Sequence, residues 1–287
     1  MIKECIKKNI NVIAFIKPDT TKINRIPESD FVTIVKCDNS ALSSFNSFEY
    51  IKEPPDIFYH FAWGNTDKEH GLNSVKDQIK NIQYTLDAVY LAKRLGCKKF
   101  IGAGSQAEYG FSSVPLNGQT PANPEIAYGV AKYAASKFTR IECEKLNLEY
   151  VWIRVLSVYG INNNDDTLFK SFFMNCKNNY PMALTPCTHI WDYLYEDDAG
   201  KAFLALGEKG LDGKVYCLGS GIGHPLREYL DIIKDIVNPS YIPGYGKIPY
   251  NEKSIKYLCA DISDIIDDTG WKPEVSFEDG VRAALIK

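Results

Sequence analysis

Tyr128 and Lys132 are the residues whose types and spacing best suit proton chemistry in this chain. Side chains four positions apart on an α-helix lie on one face, so a phenol and an ammonium there can act on the same ligand atom. Ser105, which ends an apolar segment before them, adds a hydroxyl. Together the three side chains suit proton transfer to or from a hydroxyl or a ketone oxygen.

The same Tyr-x-x-x-Lys spacing occurs a second time, at Tyr133 and Lys137. Tyr128 follows a loop rich in Pro and Asn and precedes Gly129, so it lies where a helix can begin beside a cleft. Five residues later a helix has turned by about 140°. Tyr133 is therefore expected to pack against the core or a partner subunit, and Tyr128 is predicted to be the functional tyrosine.

Segments with strand and helix patterns alternate along the chain, and they must position these residues. Strands are predicted within residues 11–16, 31–36, 56–63, 100–103 and 150–160, and helices over 74–96 and from Tyr128 onward. This alternation predicts an α/β fold with a doubly wound parallel sheet. The apolar run 56–63 is typical of a parallel strand covered on both faces. Helix 74–96 is expected to bury a stripe formed by Ile79, Ile82, Leu86, Val89 and Leu91.

Several polar residues fall where predicted strands end. Ser105, the Ala62-Trp63 pair and Ser157 lie at such ends, and Tyr128 follows the loop that leaves one of them. Doubly wound sheets bind ligands beyond the carboxyl ends of their strands. These four positions are therefore predicted to converge on one crevice.

Composition limits the classes of partner. With 287 residues, 45% hydrophobic and 24% charged, the chain can form one large core or two unequal domains. Its net charge of −3 gives no electrostatic reason to expect nucleic acid or an anionic membrane as a partner. No apolar run approaches the length of a membrane span, and the first 15 residues lack the apolar block of a signal peptide. A cytoplasmic protein is expected.

The eight cysteines are scattered and contain no C-x-x-C spacing. Cys97, Cys143 and Cys217 lie in apolar patterns, so buried free thiols in a reducing cytoplasm are predicted rather than disulfides or zinc ligands. His60 lies inside a predicted strand and is expected to be a buried histidine satisfied by hydrogen bonds. No metal site is predicted.

Seven short motifs, in order and in spacing, resemble those of the extended short-chain dehydrogenases/reductases, also called the NAD-dependent epimerase/dehydratase family of nucleotide-sugar enzymes. The resemblance extends over nearly the whole chain. The motifs are His60-Phe61-Ala62, Asn81 with Thr85, Ser105 to Tyr109-Gly110, Tyr128-Gly129-x-x-Lys132, Arg154 to Tyr159-Gly160, Trp191-Asp192-Tyr193 to Asp197-Asp198, and Gly270-Trp271-Lys272-Pro273 with Gly280.

The resemblance implies a role for each of the three residues. Tyr128 would give or take the proton of a sugar hydroxyl or ketone, and Lys132 would lower its pKa and hold the nicotinamide ribose. Ser105 would hydrogen-bond the reacting oxygen. The alternative is a purely structural role, in which Ser105 is only a small residue that ends a glycine-rich strand. Hydride would pass to or from the nicotinamide ring, which the protein positions.

The resemblance also implies a binding surface and a domain division. The further cofactor contacts would be Lys17, Asp38, Ala62, Trp63, Asn81 and Leu156, and the substrate contacts Gln106, Ser157 and Trp191. A turn aspartate is the alternative for Asp38. The Rossmann-like dinucleotide-binding domain would span 1–160 with 191–220 returning to it, and a smaller C-terminal substrate domain would span 161–190 and 221–287.

The chain departs from the family at its start, where it has no Gly-x-x-Gly-x-x-Gly and no strand before it. Residues 1–16 resemble the end of the first helix and the second strand, so about 15 to 20 residues of the expected unit are missing. The missing strand would be central, and its loss leaves its two neighbours without a shared partner and removes the helix end that receives the pyrophosphate. We expect a truncated reading frame; a chain that begins at Met1 is expected to bind dinucleotides weakly.

The cofactor prediction depends on the end of the strand within residues 11–16, which resembles the second strand of the family. NAD-specific members have an acidic residue there, whereas this chain has Ile16 followed by Lys17. A cation suits a 2′-phosphate, so NADP is predicted, with Arg25 as a possible helper. Asp19 keeps NAD open as the alternative.

The reaction prediction depends on Ala107, which stands where family dehydratases carry a catalytic Glu. Glu108 follows at a strand position that points the opposite way. Elimination is therefore not expected, and a reductase or an epimerase of a nucleotide-activated sugar is predicted. Trp191 replaces a frequent diphosphate-binding Arg, and stacking or a structural role would explain it. Ser157 and residues 162–164 are further candidate polar contacts.

A homodimer through the two long helices is implied by the resemblance. Two alternatives of other kinds stay open: a dinucleotide-binding regulatory protein with impaired catalysis, which the missing glycine loop favours, and a reductase of small ketones or aldehydes, which Trp191 favours.

Overall fold

Strands and helices alternate along the chain, as the sequence predicts. The computed structural model describes residues 1–48, 51, 53–66, 71–163, 165–251 and 254–286. The helices are α1 (Ile2–Lys7), α2 (Val75–Arg94), α3 (Ala127–Leu146), α4 (Leu168–Asn178), α5 (Glu196–Lys209), α6 (Leu226–Val237), α7 (Ser263–Thr269) and α8 (Phe277–Ile286). The strands are β1 (Val12–Ile16), β2 (Val32–Lys36), β3 (Ile57–His60), β4 (Lys99–Ser105), β5 (Glu149–Val155), β6 (Ser157–Tyr159), β7 (Ile190–Trp191), β8 (Tyr193–Tyr195), β9 (Lys214–Leu218) and β10 (His224–Pro225).

A parallel sheet in the order β3-β4-β5-β9 lies at the centre of the fold. Alternate residues of a strand face opposite sides of its sheet. Phe100 and Trp152 accordingly pack with apolar residues of α2 and α3, whereas Ile101 and Ile153 pack with those of α5. The sheet is covered by helices on both faces, which confirms the predicted α/β class.

The strands β1 and β2 form a separate parallel pair, with Val12 opposite Val32 and Ile16 opposite Lys36. In the part of the chain that the structure describes, no ladder joins β1 to β3, the two strands expected to lack a shared neighbour. Every residue of β1 is partly exposed, whereas β4 is almost entirely buried. The strands predicted to form one doubly wound sheet are thus divided into the pair β1-β2 and the sheet of four.

The long helix α2 buries only part of the predicted stripe, including Val89 and Leu91. Ile79 is 58% exposed, whereas Gln78, Asn81 and Thr85 are buried together with Val89. The polar residues face inward because they hydrogen-bond the chain around the end of β3. Helical periodicity of apolar residues cannot detect such a face.

Two predicted strands differ in extent. The apolar run 56–63 forms a strand only over Ile57–His60, and Phe61 is 48% exposed. The segment 150–160 divides at Leu156, after which β6 pairs with β8 instead of β9. The chain therefore changes sheets directly after the carboxyl end of β5.

A further apolar cluster lies in the C-terminal half. It joins α4, α6 and α8 with Tyr159 and Tyr195, and β7 pairs with β10 beside it. The boundaries between a cofactor domain and a substrate domain stay a prediction.

The cysteine and histidine predictions are confirmed. All eight cysteines are buried and free. His60 is buried, and its Nε2 lies 3.3 Å from the hydroxyl of Thr85. Burial lowers the pKa of His60 to about 3. Within the described ranges, no helix has the length and apolar character needed to cross a membrane, and no cluster of three or more His, Cys, Asp or Glu side chains could hold a metal ion.

Candidate active site

Ser105 is the last residue of β4 and is buried at the carboxyl end of the sheet. Its Oγ accepts a hydrogen bond from the N–H of Ala107, so the serine caps a short 3-10 turn over residues 106–108. Gly102 and Gly104 precede it because a Cβ at either position would overlap Trp152 of β5. The glycines of β4 thus allow Trp152 to pack against the strand, and Ser105 leads from the strand into the turn.

Glu108, predicted to lie on a strand and to point the other way from Ala107, lies instead in that turn and points inward. It is fully buried. Its Oε1 accepts hydrogen bonds from the N–H of Ser105 at 2.8 Å and from Nε1 of Trp152 at 3.0 Å, and its Oε2 accepts one from Nε of Arg154 at 2.9 Å. The Ser-x-x-Glu spacing of a capping box could have revealed this contact from the sequence.

Tyr128 lies in the first turn of α3, and its N–H donates to the carbonyl of Leu72. Its hydroxyl is hydrogen-bonded with Ser105, which lowers the pKa of Tyr128, but burial has the larger effect and raises that pKa. The prediction that Lys132 lowers the pKa of Tyr128 is therefore wrong. The predicted neighbours Ser105 and Tyr128 do lie in contact.

Lys132 follows on the same face of α3 and is buried. Its Nζ donates to the carbonyl of Ala103 at 2.6 Å, two residues before Ser105, and lies 5.9 Å from the ring centre of Tyr128. Burial lowers the pKa of Lys132 to about 7, against the opposing charge of Glu108. The ammonium is therefore held between the end of β4 and the tyrosine.

Trp63 covers this pair from the loop that follows β3. Its ring centre lies 3.9 Å from Nζ of Lys132, and its ring meets that of Tyr128 edge to face at 6.0 Å. Its Nε1 donates to Oε1 of Gln78 at 2.8 Å. Gln78 was not predicted from the sequence, because the spacing of apolar residues along α2 does not reveal a polar side chain that faces inward.

Asn81 holds the same loop through both ends of its amide group. Its Oδ1 accepts from the N–H of Gly64 and its Nδ2 donates to the carbonyl of Gly64, each at 2.9 Å. Ala62, at the start of the loop, is exposed. Asn81 therefore fixes the chain around Ala62 and Trp63.

The residues predicted to contact the adenosine half of the cofactor lie at the ends of β1 and β2. Lys17 is exposed. Asp38 accepts hydrogen bonds from the N–H and the hydroxyl of Ser40, which together with the charge of Lys17 lower the pKa of Asp38. The guanidinium of Arg25 donates to the carbonyl of Asn162 at 3.0 Å. Asp38 thus has the capping role of a turn aspartate.

Two of the three predicted substrate contacts are joined by a hydrogen bond. Nε1 of Trp191 donates to Oγ of Ser157 at 2.8 Å, so these two residues are brought together. Oε1 of Gln106 lies beside Ser105 in the 3-10 turn and is buried, without a hydrogen-bond partner among the described residues. Asn162 and Asn163 bond to Glu196 and to the carbonyl of Val158, and position 164 lies outside the described residues.

Two acidic residues from the family motifs accept hydrogen bonds from backbone N–H groups of distant loops. Asp192 is buried and accepts hydrogen bonds from the N–H groups of Ser220, Gly221 and Ala260. Asp198 accepts from the N–H groups at 274 and 275. Both carboxylates join loops that are distant in sequence.

The residues around Lys132 fit the ribose of a nicotinamide cofactor. An ammonium has three N–H donors, and in the described part of the chain its one hydrogen bond is to the carbonyl of Ala103. The remaining donors suit vicinal hydroxyl groups. Leu156, buried directly after β5, and Ala62, exposed after β3, follow the neighbouring strands at the same edge of the sheet.

Comparison with known proteins agrees with this arrangement. The NAD dependent epimerase/dehydratase family matches residues 1–219. A putative UDP-glucose 4-epimerase from Methanocaldococcus jannaschii is 25% identical over 293 residues, which cover 99% of this chain and 92% of that protein.

Two solved structures share the fold. A UDP-glucuronic acid 4-epimerase variant from Bacillus cereus, solved with UDP-4-deoxy-4-fluoro-glucuronic acid and NAD, has a TM-score of 0.83 at 19% identity, with 99% of this chain and 92% of that chain covered. RMD from Pseudomonas aeruginosa, solved with NADPH, has a TM-score of 0.75 at 20% identity, with 89% of each chain covered. Because the family match covers well over half of the residues, the chain belongs to the NAD-dependent epimerase/dehydratase family.

Proposed function

We propose that this protein transfers hydride between a nicotinamide cofactor and a sugar hydroxyl or ketone of a nucleotide-activated sugar, as a reductase or an epimerase. The observation that carries the proposal is the meeting of Ser105, Tyr128 and Lys132 at the carboxyl end of β4. Family membership supports the nicotinamide cofactor. The relative with 25% identity is named for a UDP-sugar, which supports the substrate class.

Each of the three side chains has a distinct part in the proposed reaction. Tyr128 gives or takes the proton of the reacting oxygen, and Ser105, already hydrogen-bonded with the phenol, holds that oxygen in place. The ammonium of Lys132 would hold the ribose hydroxyls, and the nicotinamide supplies or accepts the hydride when it is bound. With a pKa of about 7, Lys132 can change its charge near neutral pH.

The contacts of Glu108 support a reductase or epimerase over a dehydratase. Elimination of water needs a base free to remove a proton. Both oxygens of Glu108 already accept hydrogen bonds from Ser105, Trp152 and Arg154, and position 107 is an alanine.

A second candidate function is the reduction of small ketones or aldehydes, which the hydrogen bond between Trp191 and Ser157 favours. That bond occupies the indole N–H of Trp191, and position 191 has no guanidinium that could bind a diphosphate. A panel of nucleoside-diphosphate 4-keto sugars and simple ketones, each incubated with NADPH or NADH, separates the two candidates. We expect turnover of the nucleotide sugars; turnover of only the simple ketones would refute the substrate class.

We propose that NADP is preferred over NAD. Lys17 is an exposed cation at the end of β1, and Arg25 lies nearby in sequence with one guanidinium nitrogen bonded to a carbonyl. A cation there would pair with a 2′-phosphate. The ratio of the dissociation constants for NADH and NADPH should fall at least tenfold in Lys17→Glu, and an unchanged ratio would remove Lys17 from cofactor selection.

We propose that two copies of the chain associate through α2 and α3. Large apolar side chains are exposed on these helices, namely Val75, Ile79, Val130, Phe138 and Ile141. Their burial against a second copy would remove apolar surface from water. Light scattering should give the dimer mass for the wild type and the monomer mass for Phe138→Glu. Ile242→Glu, which changes an 86% exposed isoleucine elsewhere, is the control.

We also propose that the chain is divided into a cofactor domain and a substrate domain, and that the protein is cytoplasmic. The separate C-terminal apolar cluster supports a substrate domain over 161–190 and 221–287. The eight buried thiols support a cytoplasmic location, and thiol titration after denaturation without reductant should find all eight free.

A further inference from the structure

A cavity of about 240 Å³ lies on the flank of α3, away from the proposed active site. It is bounded by α3, by the loop of residues 118–122 and by the start of β9. The lining residues of α3 are Tyr133, Lys137 and Arg140, which are spaced by four and three positions. This stripe is turned by about 140° from that of Tyr128 and Lys132. The cavity is therefore distinct from the crevice at the end of β4.

The lining of the cavity has basic residues as its only charged side chains. It includes four basic residues and no acidic one, although the chain as a whole has a net charge of −3. The four basic residues are Lys137, Arg140, Arg154 and Lys214. Like charges gathered around one concave surface raise its electrostatic potential and favour the entry of an anion.

Two of these cations are already paired with carboxylates. Arg154 pairs with Glu108, and Lys214 pairs with Asp264 and Asp268. Arg154 is also held by a hydrogen bond from Nη1 to the carbonyl of Thr120, which lines the cavity. Arg154 is buried and Lys214 is partly exposed, and the paired carboxylates hold both cations in place while offsetting their charge.

The other two cations lack such partners. In the ranges that the structure describes, neither Lys137 nor Arg140 has a carboxylate within ion-pair distance, and both are exposed. The ammonium of Lys137 lies 5.3 Å from the ring centre of Tyr133. Two unpaired cations beside two anchored ones offer several N–H donors to one small anion.

The size of the cavity limits the ligand. Its volume equals that of about eight water molecules in the liquid. Pockets for drug-sized ligands are usually larger, at roughly 300–1,000 Å³. A tetrahedral oxyanion fits both the volume and the charge, and a phosphate gives the most acceptor oxygens for Arg and Lys donors.

We propose that this cavity is a binding site for a phosphate group, with Lys137 and Arg140 supplying ion pairs at its mouth. The phosphate could be free inorganic phosphate or the terminal phosphate of a small nucleotide, and both present the same chemistry to these side chains. Binding here does not depend on the proposed hydride transfer. Since Arg154 also pairs with Glu108, the bound phosphate would lie beside the network that holds Ser105.

The test is calorimetric titration at constant ionic strength with inorganic phosphate in one arm and UMP in the other. The wild type is compared with Lys137→Met/Arg140→Met, in which both unpaired cations are lost. The control, Lys93→Met/Lys145→Met, removes the same charge from exposed positions of α2 and α3 outside the cavity. Lys137→Met alone serves if the double variant does not fold.

The proposal predicts saturable binding of at least one of the two probes by the wild type. That affinity should fall at least tenfold, about 1.4 kcal/mol, in the cavity variant and stay unchanged in the control. Loss of phosphate binding identifies free phosphate as the ligand, and loss of UMP binding alone identifies a phosphate carried by a nucleotide. Equal affinities in all three proteins, or no saturable binding of either probe to the wild type, would overturn it.

Discussion

The carboxylate of Glu108 accepts a hydrogen bond from the backbone N–H of Ser105 at 2.8 Å, and its second oxygen accepts one from Arg154 at 2.9 Å. Both side chains of the ion pair are buried, with 0% and 5% of their surfaces exposed. One buried acid thus fixes the turn that carries the proposed catalytic serine to a cation on the neighbouring strand β5.

Removal of this carboxylate should be costly. In Glu108→Ala the guanidinium of Arg154 stays buried without its partner, so the free energy of unfolding should fall by roughly 3–5 kcal/mol. Urea denaturation measures the loss, with Glu125→Ala, an exposed acid in the loop before α3, as the control. A loss below about 1 kcal/mol, the range of a surface ion pair, would show that the network does not hold the turn.

Lys132 should make stability depend on pH. Burial lowers its pKa from 10.5 in the unfolded chain to about 7 in the fold. Between these values the unfolded chain binds more protons, so this residue makes stability rise with pH from about 7 to about 10.5. Below pH 7 the penalty for burying the ammonium is fully present.

The substitution Lys132→Met removes that penalty. Relative to the wild type, the variant should therefore be more stable near pH 6, and its advantage should shrink as the pH rises toward 10. Chemical denaturation at a series of pH values measures the difference. Lys93→Met, an exposed lysine on α2, should show no such trend. An advantage for Lys132→Met that does not change with pH would contradict the lowered pKa.

Asn81 should stabilise the loop beyond β3. Its buried amide group makes two hydrogen bonds of 2.9 Å with the backbone of Gly64. In Asn81→Ala both backbone groups lose their partner, at a cost of about 1–3 kcal/mol. Thermal denaturation compares this variant with Gln83→Ala on the exposed face of α2. Equal melting temperatures for the two variants would argue against a structural role for Asn81.

The order of the main elements could be predicted from the sequence because periodicity and short motifs report local geometry. The spacing of Tyr128 and Lys132 on a helix, together with the position of Ser105 at the end of a strand, predicted that these residues lie close together. The separation of β1 from β3 also follows from the order of the motifs in a parallel sheet.

Other features depend on contacts that periodicity does not encode. Gln78 and Asn81 face inward on α2 because a loop distant in sequence needs their hydrogen bonds, and Ile79 is exposed as a result. The pKa of Tyr128 is raised and not lowered, because burial outweighs its hydrogen bond with Ser105. The change of sheets at Leu156 depends on the pairing of β6 with β8, which the apolar run does not reveal.

The most direct test of the proposed chemistry is the rate of hydride transfer in Tyr128→Phe, followed by nicotinamide absorbance in single turnover with a nucleoside-diphosphate 4-keto sugar. Because the phenol supplies the proton, we predict a fall of about 10²- to 10⁴-fold, with unchanged binding of the sugar nucleotide. Tyr84→Phe, on α2, should keep the wild-type rate. Hydride transfer at the wild-type rate in Tyr128→Phe would contradict the assignment of Tyr128 as the acid-base residue.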